Sequence, residues 1–303
     1  MRSGQAAAAV QLHRAARFAL AAFAFASCQT VQAQAIGSGP PETDGRGIVV
    51  SADWATREKA VQELARQVTG RLPFNRPIAR FHQPLCLAVA GVNRNFVDSF
   101  AGRILENAAL AEVPLAKGNC KANALVIFAG ETRTELERAR KKNRRIFGNL
   151  GPGALEAMLK SRDPAFAWRA TQVLGTNGMP VQYDDQQVPQ NRTIEMSGRL
   201  KQPIMIGVTG AIVVIDRDAA DGKTAQQLAD YATLRLLAPT DEIRETTPGA
   251  PATIMTLFLD PVNAPEGLTA FDTAFLRGVY KIAGNLPASA VYGETVNNLE
   301  RDR

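Results

Sequence analysis

Histidine is nearly absent from this chain: two occur in 303 residues, at positions 13 and 82. A hydrolytic zinc ion needs two or three imidazoles in one place, so a zinc site of that kind cannot be assembled here. A catalytic set built on a histidine base would have to use His82, which is followed two residues later by Pro84, next to an apolar run. Aromatic residues make up 6% of the chain, too few to interleave a basic surface for stacking on nucleobases. No run after the first 35 residues approaches the roughly 20 apolar residues that cross a bilayer. The sequence also lacks G-x-x-x-x-G-K-[ST], and no G-x-G-x-x-G follows a strand-like run, so the usual backbone cradles for nucleotide phosphates are missing.

What is present begins with an export signal. Arg2, Arg14 and Arg17 precede the apolar run Phe18–Ala26, and Ala33-Gln34-Ala35 follows as a small-residue cleavage site. The expectation is a signal peptide over residues 1–35, with Ile36 first in a mature, periplasmic or secreted protein. Cys28, preceded by Ala26-Ser27, offers a rival lipoprotein site, with Phe25 where leucine is usual. Loss of the three leader arginines lowers the formal charge of +6 by three, so the mature chain is only mildly basic and does not call for nucleic acid.

Cys86 and Cys120 are the cysteines left after the leader. Export puts them where paired thiols oxidise and persist, which favours a disulfide over a metal site with His82. Pro84 disrupts the helix that would bring His82 and Cys86 to one face.

Residues 36–47 are rich in Gly and Pro and read as a flexible leader, and 48–303 as one α/β (α+β) domain with a sub-division near 148–200. Ile48–Ser51 reads as a short strand, and the apolar spacing of 56–69 as an amphipathic helix. Leu85–Ala90, Phe96–Ala111 and Ala124–Ala129 read as strand, helix and strand, a βαβ unit with parallel strands and a cysteine at or near the start of each. Residues 131–147 carry seven bases and three acids, read as a solvated helix or as an anion-binding patch of Arg138, Arg140, Lys141, Lys142, Arg144 and Arg145. Leu155–Leu174 reads as helix broken near Pro164, and 175–203 as loop with one exposed strand. Ile204–Ile215 reads as a hairpin or as one strand with a Gly kink. An acidic loop follows it, then a strong amphipathic helix over 224–238 ended by Pro239. Thr253–Leu259 reads as a buried segment, Ala270–Ile282 as a last helix, and the rest as a polar tail. The acidic loop, with Asp216, Asp218 and Asp221, imitates the start of a calcium loop but has Gln227 where the twelfth-position Glu belongs.

From Ile212 to Tyr280 the order of elements resembles the core of the metzincin zinc peptidases. In that family a helix carries H-E-x-x-H-x-x-G-x-x-H, a later turn carries a Met, and a closing helix contains L-[ST]-x-x-D followed by L-x-x-[LV]-Y. Here Leu268, Thr269, Asp272, Leu276, Val279 and Tyr280 supply the closing pattern, and Thr253-Ile254-Met255 supplies a Met-turn. On the helix, the histidine places fall on Gln226, Asp230 and Leu236, and the catalytic Glu place on Gln227. The resemblance therefore implies a peptidase-like fold without zinc, catalytic base or cofactor; the partner stays open, with an envelope protein and a peptide as the candidates. Two rivals stand beside this non-catalytic binding domain. One is a periplasmic hydrolase using Asp184, Asp185 and Asp230, because paired carboxylates can share acid and base roles. The other is an envelope adaptor.

Overall fold

The computed structural model describes residues 46–70, 72, 76–186, 189–190 and 201–301. The expected signal peptide, Cys28 and most of the Gly/Pro-rich leader lie outside these residues. The chain begins with α1 (Arg46–Thr69), then β1 (Ala79–Arg80), β2 (Leu87–Ala90), α2 (Arg94–Leu110) and β3 (Ala124–Ala129). Next come α3 (Thr132–Lys142), a 3₁₀ turn (Arg144–Phe147), α4 (Pro152–Lys160), β4 (Ala165–Gly175), β5 (Gln182–Tyr183), β6 (Pro189–Gln190) and β7 (Ile204–Asp216). The chain ends with α5 (Arg217–Ala220), α6 (Ala225–Leu237), a 3₁₀ turn (Ile254–Thr256), α7 (Ala270–Lys281) and α8 (Ala290–Arg301). The fold is α/β with a mixed sheet.

The long strand β7 organises the sheet. One edge of β7 pairs antiparallel with β4. Its other edge takes β1 at Ile206–Gly207 and β3 over Ala211–Asp216, both parallel, and β2 then pairs parallel with β3. The strand–helix–strand unit is thus parallel, as the sequence implies. At Thr209 the β4–β7 register slips by one residue beside Gly210, so the Gly kink is a bulge in a continuous strand and not a hairpin turn.

Helices cover both faces. Val126, Phe128, Val213, Ile215 and Ala165 enter the main core with residues of α1, α2, α6, α7 and α8. Ala129, Val214, Phe166 and Trp168 face a second, smaller core closed by Leu136, Phe147, Leu155 and Leu159. Because β4 is apolar on both faces where it meets these cores, its sequence shows no polar alternation. This corrects the helical reading of 165–174: α4 stops at Lys160, and the residues after Pro164 form the full-length partner of β7.

Two further expectations are corrected. Ile48–Ser51 is helical, the first turns of α1. An established helix over 56–69 extends at small cost per residue, whereas a lone β-branched run needs a partner strand. The polar tail contains α8, whose Val291, Thr295, Val296 and Asn298 are buried on one face. Gly278 of α7 admits α8 closely, with Thr295 Oγ1 3.3 Å from where a β-carbon would stand, and Asn298 Nδ2 donates to Ala274 O at 3.0 Å.

Cys86 and Cys120 form a disulfide with Cα atoms 6.0 Å apart. Asn123 reinforces it, accepting from Cys86 N at 2.8 Å and donating to Pro84 O at 3.0 Å. Replacing both cysteines by alanine is expected to lower stability by about 3 kcal/mol, since the closed loop restricts the unfolded chain. In a chain this size that is a fall in Tm of roughly 10 °C. An unchanged melting curve contradicts it.

Candidate functional site

Helix α6 starts at a capping box: Gln227 N donates to Thr224 Oγ1 at 3.0 Å, and Thr224 N donates to Gln227 Oε1 at 3.1 Å. Gln227 Nε2 also donates to Pro265 O at 3.0 Å. Gln227 therefore closes the helix end. Gln226 is exposed beside Gly267, where a β-carbon would meet both its Nε2 and Asp230 Oδ2. Gln226 and Asp230 thus both close on Gly267, where a side chain would displace them.

Asp230 is fully buried. Arg103 of α2 grips it in a fork, Nε to Oδ1 at 2.7 Å and Nη2 to Oδ2 at 2.8 Å. Asn107 Nδ2 donates to Oδ1 at 2.5 Å, and Leu268 N to Oδ2 at 2.7 Å. Two oxygens take four hydrogen bonds, including a bidentate charged pair, the strong kind. The hydrogen bond to Asp230 in turn raises the Arg103 pKa. Asn107 Nδ2 also reaches Thr233 Oγ1 at 3.2 Å. These positions tie α2, α6 and the loop before α7 together.

Met255 belongs to a separate hydrogen-bonded unit. It is buried in the 3₁₀ turn after Thr253, and that turn hangs on Asp272 of α7. Asp272 accepts from Thr253 Oγ1 at 2.5 Å, Ile254 N at 2.8 Å, and Thr269 N and Oγ1, each at 3.0 Å. Burial pushes its carboxyl up to about 6, against these hydrogen bonds, which pull it down.

One polar cleft is announced by no sequence motif. A cleft of about 390 Å³ lies between α4, the start of β4 and the chain leaving α6, with Asp163, Arg235, Asp241, Glu242 and Arg244 on its walls. Arg235 is 5% exposed; its Nη2 is 3.2 Å from Glu242 Oε1 and its Nη1 donates to Thr240 O at 3.1 Å. Tyr231, under the Arg235 guanidinium, donates its hydroxyl to Glu242. Behind them Arg169 Nη2 donates to the carbonyls of Arg235 and Ala238, capping the α6 C-terminus. Burial, with Arg235 nearby, lowers the Arg169 pKa to about 9. Burial also pulls on Arg235, but Tyr231, Glu242, Asp241 and Asp163 hold its pKa raised. At the rim Arg244 pairs with Asp163 at 3.0 Å.

The floor of the cleft is part of an open sheet edge. Along the outer side of β4, Arg169 O accepts from Asn149 N, and Thr171 N donates to Asn149 Oδ1. Val173 O accepts from Val181 N, and Gly175 N donates to Met179 O. Antiparallel pairing alternates inward and outward groups, so the amides of Ala165 and Ala167 turn to that same outer edge. Both residues line the cleft. An extended chain entering there would find sheet hydrogen bonds below it and charges of both signs beside it.

Other residues singled out from the sequence lie elsewhere. Asp184 and Asp185 sit just after β5, with Asp184 Oδ1 accepting from Gln186 N at 3.0 Å, whereas Asp230 is inside α6. Asp216 is the N-cap of α5 and accepts from Asp218 N, Ala219 N and Thr132 Oγ1. Among the described residues, no group of three or more His, Cys, Asp or Glu is placed to hold a metal ion. His82 is half-buried, and burial and then Arg80 lower its pKa.

Asp272 yields a test. Its ordinary value of 3.8 becomes about 6 in the fold, so the folded state holds the proton more tightly. Its contribution to stability is full below pH 4, is lost as pH rises through 6, and is constant above. A ¹³C titration of the Asp272 carboxyl should have its midpoint near 6; a midpoint at or below 4 contradicts the assignment. No protein-family model, curated protein or solved structure matches this chain.

Proposed function

We propose that this chain is an exported, non-catalytic peptide-binding domain, built on the plan of a zinc peptidase whose metal-binding helix now serves as a structural tie. The observation that carries the reading is Asp230. It stands at a histidine place of the metzincin motif, and all four of its hydrogen bonds go to the protein itself. A carboxylate so occupied has no lone pair directed at a metal or a water. It is equally unsuited to the role of a hydrolytic acid or base, which disfavours the aspartate hydrolase. Gln227, at the catalytic Glu place, is an amide and cannot take up a proton at neutral pH.

The order β7, α6, the Met255 turn and α7 supports the peptidase-like plan, and the hold of Asp272 on that turn links its last two parts. The disulfide is compatible with an oxidising compartment and so supports export. The cleft beside β4 supports peptide as the ligand class, because an open strand edge recognises backbone and the flanking charges recognise side chains.

Two measurements test the proposal. Metal analysis of the purified protein should find no stoichiometric zinc, and incubation with peptides should give no chelator-sensitive cleavage. A phage-displayed heptapeptide library should yield binders to the native protein. Those peptides should lose at least tenfold in affinity for Ala167→Pro, which deletes an outward amide that the sheet itself does not use. Tightly bound zinc, or selected peptides that bind Ala167→Pro equally well, contradicts the proposal.

A further inference from the structure

The basic run between α3 and its 3₁₀ turn is untouched by the reading above, and it holds an unusual share of the charge. Arg138, Arg140, Lys141, Lys142, Arg144 and Arg145 are all exposed. Their number equals the formal excess of +6 of the full sequence. The helix dipole accounts for Arg140, Lys141 and Lys142, which occupy the last turn of α3. It does not account for Arg144 and Arg145, which lie beyond the helix end in the 3₁₀ turn. Nor do local acids: Arg140 has Glu156 within electrostatic reach, while Arg138, Lys141, Lys142 and Arg145 make no ion pair among the described residues.

The fold also holds this segment firmly in place. Trp168 Nε1 donates to Ile146 O at 2.7 Å, and the buried Phe147 ring packs 5.1 Å from the Trp168 ring. Gly148, at φ 58°, lets the backbone pass so close to Arg169 and Ala170 that a β-carbon would overlap them. Ile146, next in sequence to Arg145, is 38% exposed.

We propose that the surface of α3 and the 3₁₀ turn docks on an anionic lipid bilayer. The unpaired cations Arg138, Lys141, Lys142 and Arg145 match a dense layer of phosphate headgroups, and Ile146 supplies an apolar side chain able to enter the acyl boundary. Nucleic acid fits less well, since Ile146 is the only large apolar side chain exposed there and no exposed aromatic offers a stacking platform. An acidic protein partner would need a packed apolar centre, which a single isoleucine does not make. The site is distinct from the cleft, so either assignment can fail without the other.

The test is sedimentation of the full chain with vesicles of 30% phosphatidylglycerol in phosphatidylcholine, against vesicles of phosphatidylcholine alone. Binding is expected to the first only, and to weaken steeply between 50 and 300 mM salt, as screened charge requires. Each cation removed should cost about fivefold. The fourfold variant Arg138→Gln, Lys141→Gln, Lys142→Gln, Arg145→Gln should therefore bind at least a hundredfold more weakly, with its circular dichroism and melting curve unchanged. These side chains are exposed and unpaired, so their loss leaves the fold intact. Ile146→Ser should weaken binding without altering its salt dependence. The proposal is overturned by equal binding to the two vesicle types, by binding that survives the fourfold change, or by a single-stranded oligonucleotide bound more tightly than the anionic vesicles.

Discussion

A carboxylate with no access to water is tolerable in a protein only when its charge is met in full. Asp230 is such a group, and meeting its charge sets much of the surrounding architecture. Arg103 and Asn107 must come from one turn of α2, Leu268 N from the loop ahead of α7, and Gly267 must lack a side chain for the loop to come close. Helices far apart in sequence are thereby fixed side by side over the main core. Helix α6 is thus spent on holding its neighbours.

The same economy recurs at the other end of α6 and in the turn that follows. Arg169, from β4, satisfies the last carbonyls of α6, and Arg235 and Glu242 neutralise one another above Tyr231. Asp272 does for the Met255 turn what Asp230 does for α2, but with neutral donors only, and burial outweighs those donors and pushes its carboxyl up. Charged residues thus mark the joints between elements, and the cleft beside β4 is bordered by one of these joints. On its walls Arg235 is paired with Glu242 and Arg244 with Asp163.

Some of this was legible in the residues. The parallel strand–helix–strand unit could be read because β2 and β3 are short apolar runs with a well-patterned helix between them, and the cysteine pair because the two thiols stand near the starts of neighbouring strands. The shortage of histidine bounded the chemistry from the outset. β4 was hidden because it is apolar toward both cores, which removes the period of two that marks a strand and leaves a run that reads equally well as helix. α8 was hidden because its buried face mixes Val291 and Val296 with two polar residues, Thr295, which donates to Val291 O one turn back, and Asn298, which donates across to Ala274 O of α7. The role of Asp230 depends on Arg103, 127 positions away, and the cleft on three segments that only the sheet brings together. Neither leaves a local pattern to find.

The most direct test of the central claim is a double-mutant cycle on Arg103 and Asp230, with Arg103→Ala, Asp230→Ala and the pair compared by denaturant unfolding. If Asp230 is a structural tie, its removal should cost about 3–5 kcal/mol, and the two changes should couple by about 2 kcal/mol or more. Additive single effects of less than about 0.5 kcal/mol each, the size usual for surface substitutions, would contradict the account.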